Sequence, residues 1–340
     1  MSKLGWGVIG LGRIVKTTMA PAMIEDPASD VVAAVSRDQG RADAFAEEFG
    51  ARFAYTDYQQ MLENPEVGAV FIATPNAQHA DQVVAAAEAG KHVFCDKPLA
   101  TNVPDAVRAL KACANADVKL GINFHNRRLA WVQDTRDLIG RGDLGPVLTV
   151  QVEASAGDRP PIDWRMDPDL AGMGTTYNQG VHAFDFLRFI LRSDPKEVAA
   201  FFDDDAESSG VETQCLVLIR FENGTLASLD INQRTPHPRN EITFNGTRGR
   251  IVGAGITRSR LDGELRVLTG GEETTTPYPQ PSGAAHRDNL LAFTQSVLRD
   301  EEPNASGIDG VHSALLCEAI AESVSEKRVV TLDYSRLKGL

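Results

Sequence analysis

Through the first third of the chain, short apolar runs alternate with longer segments whose apolar residues recur at helical spacing. Residues 6–9 form the first run and meet Gly10-Leu11-Gly12; residues 13–24 then read as a helix that Pro21 shortens or bends. A second run, 31–35, ends at Ser36-Arg37-Asp38, and residues 41–49 form a helix with Phe45 and Phe49 on one face. Residues 67–73 predict a third strand ending at Thr74-Pro75-Asn76, followed by a helix over 80–89 that Gly90 stops. Strands over 91–95 and 118–122 flank a helix over 105–115.

Strands and helices in strict alternation imply right-handed crossovers and a parallel, doubly wound sheet. After Phe124 the rhythm changes: a helix over 131–139, a turn at 142–146 and a strand over 147–154. From 198 to 267 come short alternating runs, among them 215–221, 225–232, 241–245 and 250–252, with Glu222-Asn223-Gly224 as a hairpin turn. Helices over 287–298 and 310–325 and a strand over 328–332 close the chain. The expected fold is α/β: a Rossmann domain over 1–124, then an α+β substrate-binding and oligomerisation domain over 125–340 built on an open, largely antiparallel sheet.

Composition changes this picture little but excludes several functions. At 340 residues the chain suits two domains. The net charge of −13 would repel nucleic acid and anionic lipid, so a small-molecule partner is favoured. The apolar start is far shorter than a membrane span and lacks a cleavage-like site. Cys95, Cys113, Cys215 and Cys317 are widely spaced, with no histidine at metal-ligand spacing. A reduced cytoplasmic protein that binds no metal is expected.

The glycine turn supplies the first chemistry. Gly10 lets the chain turn tightly, Gly12 lets backbone approach a pyrophosphate, and the helix that follows offers free N–H groups. Val15 holds the third glycine position, which moves the helix away from the strand. At the end of the second strand an acidic side chain would select NAD; Ser36 and Arg37 suit the 2′-phosphate of NADP instead, with NAD left open through Asp38. Lys97, in GKHVFCDKPLATN, immediately follows a strand, where open parallel sheets bind ligands.

Taken together, GLGRI at 10–14, ATPNAQHA at 73–80, DKP at 96–98 and GVHAFD at 180–185 resemble the glucose–fructose oxidoreductase and inositol dehydrogenase family, Gfo/Idh/MocA. Asp96 stands where the family carries glutamate. The resemblance implies that Gly10, Leu11, Gly12, Arg13, Ile14, Ser36, Arg37, Thr74, Pro75, Asn76, His79, Asp96, Lys97, Asn123, Trp164 and Arg165 contact the dinucleotide. Within that set Lys97 would touch the reacting oxygen, a cis bond would precede Pro98, and Trp164-Arg165 would close over nicotinamide and substrate.

The family carries an acid four residues before a histidine; here these positions are Asn178 and His182. His182 is the expected general base in oxidation and acid in reduction, because imidazole titrates in the useful range. Asn178 can bond a sugar hydroxyl but cannot ionise. Arg165, Arg127 and Asp185 are further substrate candidates; Asp185 alternatively orients His182 or is an exposed carboxylate. The resemblance thus implies an NADP-dependent dehydrogenase or reductase of a sugar or polyol, working as a homodimer or homotetramer. Its rivals are a dihydrodiol dehydrogenase or carbonyl reductase, a non-catalytic dinucleotide-binding regulator, and a redox-cycling glycosidase.

Overall fold

The computed structural model describes residues 3–155, 157, 163–203, 210–257, 263–279 and 281–339. The chain forms two compact units, Met1–His125 with His286–Ala314 and Gly339–Leu340, and Asn126–Ala285 with Leu315–Lys338.

The first unit contains β1 (Leu4–Ile9), α1 (Ala20–Glu25), β2 (Ser29–Val35), α2 (Gln39–Phe49), β3 (Phe53–Tyr55), α3 (Tyr58–Leu62), β4 (Ala69–Ile72), α4 (His79–Glu88), β5 (His92–Cys95), α5 (Val103–Asn115) and β6 (Leu120–Ile122). Its six strands are ordered β3-β2-β1-β4-β5-β6 and pair in parallel throughout. That is the doubly wound order of a Rossmann sheet, whose ligands bind outside the carboxyl ends of the strands. The helices start where short polar side chains satisfy free N–H groups: Asp38, Asp57 and Asn102 accept from Arg41, Gln59 and Asp105.

Two local features depart from expectation. The first helix changes its winding: a π-helical turn over Val15–Met19 runs without a break into α1, and Pro21 falls just after this widened turn. Val15, in the place of a glycine, is wholly buried at the start of that widened turn. β3 and α3, absent from the sequence reading, are only 3 and 5 residues long, too short to register as a periodic pattern.

The second unit holds α6 (Ala130–Gly140), β7 (Val147–Ser155), α7 (Pro168–Ala171), α8 (Val181–Leu191), β8 (Pro195–Phe202), β9 (Gln214–Phe221), β10 (Leu226–Asn232), β11 (Ile242–Gly246), β12 (Gly249–Ala254), β13 (Gly263–Thr269) and β14 (Glu272–Tyr278). Three elements follow: α9 (Ala284–Arg299), α10 (Gly307–Glu326) and β15 (Val330–Thr331). The second sheet has nine strands in the order β14-β13-β12-β11-β7-β10-β9-β8-β15. Its pairs are antiparallel except β7 with β10. In β9, Cys215, Val217, Ile219 and Phe221 are buried, whereas Leu216 and Leu218 on the opposite face are exposed. Strand alternation thus covers one face and leaves the other apolar and open.

A contiguous first domain over 1–124 omits a necessary piece, because His286–Ala314 also belongs to the first unit. Leu290 and Phe293 of α9 complete its core, with the Phe293 ring 4.9 Å from Phe94 and 5.8 Å from Trp6. Gly121 in β6 makes room for it, since a Cβ there would lie 2.4 Å from the Phe293 ring. No helix among the described residues is long and apolar enough to cross a membrane.

Candidate active site

In the first unit the candidate residues collect on loops at the carboxyl ends of the parallel strands. Gly10 follows β1 with φ +93°, and a Cβ on it would meet the Ala73 carbonyl oxygen at 2.6 Å, so only glycine fits. A Cβ on Gly12 would point into open space, so the backbone there is bare to an approaching group. This bare turn, leading into a helix, fits a pyrophosphate.

After β2, Ser36 is half-buried and Arg37 exposed. Asp38 is occupied: Oδ1 accepts from the Arg41 N–H at 2.8 Å and caps α2. The Arg41 guanidinium reaches back to donate to the Leu11 carbonyl of the glycine turn at 3.4 Å. Arg41, held at the glycine turn by this bond, is a cation the sequence reading missed.

After β4, Thr74 donates to Gln82 at 2.7 Å. Asn76 is buried. His79 differs from its expected cofactor role: Nδ1 lies 2.7 Å from the Pro98 carbonyl oxygen and Nε2 lies 3.0 Å from that of Thr74. The neutral ring carries one proton and so donates to only one of these carbonyls; almost wholly buried, it packs between the Thr74 and Lys97 loops and has no open surface for a ligand. Burial pulls its pKa down against the raising effect of the Pro98 carbonyl.

After β5 comes Asp96. Its Oδ1 accepts from the Lys97 N–H at 3.0 Å and from Asn123 Nδ2 at 3.3 Å, while Asn123 Oδ1 accepts from Asn289 Nδ2 at 3.3 Å. Two amides and a carboxylate thereby fix the backbone that carries Lys97, and the Lys97–Pro98 peptide is cis. The carboxylate is thus committed to holding this loop. Sequence reading had no means of including Asn289, which lies 166 residues from Asn123.

In the second unit Asn178 lies on a π-helical turn, Thr176–Gly180, that runs directly into α8 and His182. Asn178, Gln179 and His182 are half-buried while Tyr177, Gly180 and Val181 are buried, so the first three share the open side. Glu212 holds the start of this turn. Its carboxylate accepts from the Gly174 and Thr176 N–H groups, each at 2.8 Å, and its own carbonyl accepts from Thr175 at 2.9 Å. A Cβ on Gly174 would lie 2.0 Å from that carbonyl.

Arg127 and Asp185 were expected at substrate, and Asp185 alternatively as an exposed carboxylate; the structure instead joins the two in the interior. Arg127 Nε and Nη2 lie 2.8 and 2.6 Å from the two Asp185 oxygens, with both side chains almost wholly buried. A two-pronged pair of this kind fixes the helix that bears His182 and engages both carboxylate oxygens. Trp164 and Arg165 lie on a short turn, Asp163–Met166, with the guanidinium 4.3 Å over the indole.

Comparison with known proteins agrees with this architecture. Residues 4–124 match the oxidoreductase family described as having an NAD-binding Rossmann fold, and residues 132–252 match the GFO/IDH/MocA C-terminal domain. The chain is 29% identical to 1,5-anhydro-D-fructose reductase of Ensifer adhaerens, covering 96% of this chain and 98% of that protein. It is 32% identical to dTDP-3,4-didehydro-2,6-dideoxy-alpha-D-glucose 3-reductase of Saccharopolyspora spinosa, covering 93% and 96%. Among solved structures, aldose-aldose oxidoreductase from Caulobacter crescentus, complexed with glycerol, superposes with a TM-score of 0.88 at 28% identity, covering 97% of this chain and 100% of that one.

Proposed function

The chain belongs to the Gfo/Idh/MocA family and is an NAD(P)-dependent oxidoreductase acting on CH–OH groups, and on that basis we propose that it interconverts a sugar or polyol alcohol and its carbonyl form with NADP as cofactor. The observation that carries this reading is Lys97, held by Asp96 and Asn123 on the sheet edge that also bears the glycine turn. The relatives named above act on an anhydrosugar and a nucleotide-linked deoxysugar, which supports a sugar substrate.

Bound nicotinamide supplies the hydride acceptor in oxidation and the hydride donor in reduction. Lys97 Nζ–H donates to the reacting oxygen and stabilises the negative charge that develops on it. His182 takes the alcohol proton in oxidation and returns it in reduction. Asn178, beside it on the open side of the helix, bonds a neighbouring hydroxyl without adding charge. Ser36, Arg37 and Arg41 hold the 2′-phosphate, and the engagement of Asp38 as a helix cap supports NADP over NAD.

Phe201, 71% exposed, and Leu216 and Leu218, at 47% and 58%, stand together on the open face of the second sheet. A second copy of the chain covers them, giving a homodimer or a tetramer built from it. The four buried free cysteines suit a reducing, cytoplasmic setting.

A panel of aldoses, ketoses and polyols with NADP(H), followed by nicotinamide absorbance, tests the activity. Turnover of at least one sugar or polyol is the expected result, abolished by Lys97→Met and reduced at least a hundredfold by His182→Ala. Full turnover by the Lys97→Met variant would contradict the assignment. Tight nucleotide binding without net absorbance change across the panel would favour the redox-cycling glycosidase.

A further inference from the structure

The first turns of α9 carry Asn289, already part of the network beneath Lys97, and a second polar side chain, His286, for which the reaction above has no use. His286 is half-buried, its imidazole stacked on that of His125 with centroids 3.4 Å apart and planes 20° apart. Its Nδ1 is buried without a hydrogen-bond partner among the described residues. Three residues on, Asn289 bonds Asn123 and so joins the network beneath Lys97. Residues three apart share a helix face, so His286 and Asn289 look toward the same strand ends.

The ring sits among the charged groups of the site. Burial pulls its pKa down to about 4, with Asp96 opposing the shift and Lys97 and Arg13 adding to it. At neutral pH the imidazole therefore carries one proton and one lone pair. A buried nitrogen without a partner is a cost that folded proteins rarely tolerate outside functional positions.

Its place along the sheet identifies what it can meet. A dinucleotide crosses this edge with its adenosine toward β2, its pyrophosphate at the β1 turn, and its nicotinamide beyond. His125 follows β6, three strands from β1 in the sheet order, or about 14 Å at the usual strand spacing. That is the nicotinamide side, where the ligand's polar substituent is a carboxamide.

We propose that His286 is a binding residue for the nicotinamide end of the dinucleotide, its Nδ1 accepting a hydrogen bond from the carboxamide N–H while His125 fixes the plane of the ring. The assignment rests on the dinucleotide reading and extends it to a residue on the helix that returns late in the chain.

Calorimetric titration of the wild-type protein and of the His286→Ala, His286→Phe and His286→Gln variants separates the possibilities. The ligands are NADPH and 2′-phospho-ADP-ribose, which lacks nicotinamide, or NADH and ADP-ribose should the protein prefer NAD. His286→Ala and His286→Phe weaken binding of the intact dinucleotide about tenfold and leave the truncated ligand unchanged. Gln, with a carbonyl acceptor, restores part of the loss. Equal weakening of both ligands, or no weakening of either, overturns the proposal. A wild-type protein that binds no dinucleotide overturns the cofactor reading and this inference with it.

Discussion

The two units hold their functional side chains by different means. In the first, Lys97 sits on a short loop tied by two amides and one partly exposed carboxylate: Asn289 to Asn123, Asn123 to Asp96, and Asp96 to the Lys97 N–H. In the second, Asn178 and His182 ride on one helical run held by buried charges, Glu212 at its start and the Arg127–Asp185 pair along it. That network, whose one charge is the partly exposed Asp96 carboxylate, can lose one bond and relax. Removing half of a buried ion pair strands the other charge, so the second unit's frame is the more brittle.

The largest effect should follow from Asp185→Asn, which leaves the Arg127 guanidinium buried without its counter-charge. A loss of about 3–5 kcal/mol is expected in chemical denaturation, with much of it recovered when Arg127→Met and Asp185→Leu are combined. A variant as stable as wild type would show that the pair is not structural. Next comes Glu212→Ala, which removes the acceptor of two N–H groups at once. Its expected cost is about 2–4 kcal/mol, accompanied by loss of His182-dependent turnover while nucleotide affinity is kept.

In the first unit the effects should be smaller and confined to ligand binding. Gly10→Ala forces a positive φ and a clash with the Ala73 carbonyl. It should weaken dinucleotide binding at least tenfold, readable by nicotinamide fluorescence. Removing Arg37 and Arg41 together should lower NADPH affinity about tenfold and leave NADH unchanged; equal loss for both nucleotides would remove the phosphate role.

The smallest effect concerns acid stability. The folded His286 pKa, about 4, lies below the unfolded value of 6.5, so between them the unfolded chain binds the proton and the folded chain does not. Stability is retained above about pH 6.5 and falls as the pH drops toward 4. The buried His79 acts in the same direction. Denaturation midpoints of His286→Phe should show a shallower decline across that window, and an unchanged slope would show that the ring titrates elsewhere.

Sequence made the first unit's edge legible because its chemistry is local. Gly10 announces a turn that only glycine can make, and Lys97 stands directly after a strand that the apolar pattern marks. The second unit's frame was hidden for the opposite reason: Glu212 lies 38 residues from Gly174, and Asp185 lies 58 from Arg127. Arg127 read alone is an ordinary surface cation, and its partner becomes visible only in the folded chain. The π-helical turn under Asn178 was concealed because helical spacing looks alike whether a turn closes after four residues or five. His286 and Asn289 lie in an amphipathic helix near the end of the chain, and neither suggests by itself that this helix returns to the first sheet.

The proposed function requires the edge bearing Gly10, Ser36, Arg37 and Lys97 to bind a phosphorylated nicotinamide dinucleotide. Titrating the purified protein with NADPH and with NADH at one ionic strength, by nicotinamide fluorescence, tests it most directly. Binding of NADPH at least tenfold tighter, about 1.4 kcal/mol, is the predicted result. Tighter binding of NADH would return the selection to Asp38, and binding of neither would mean that this edge holds no dinucleotide.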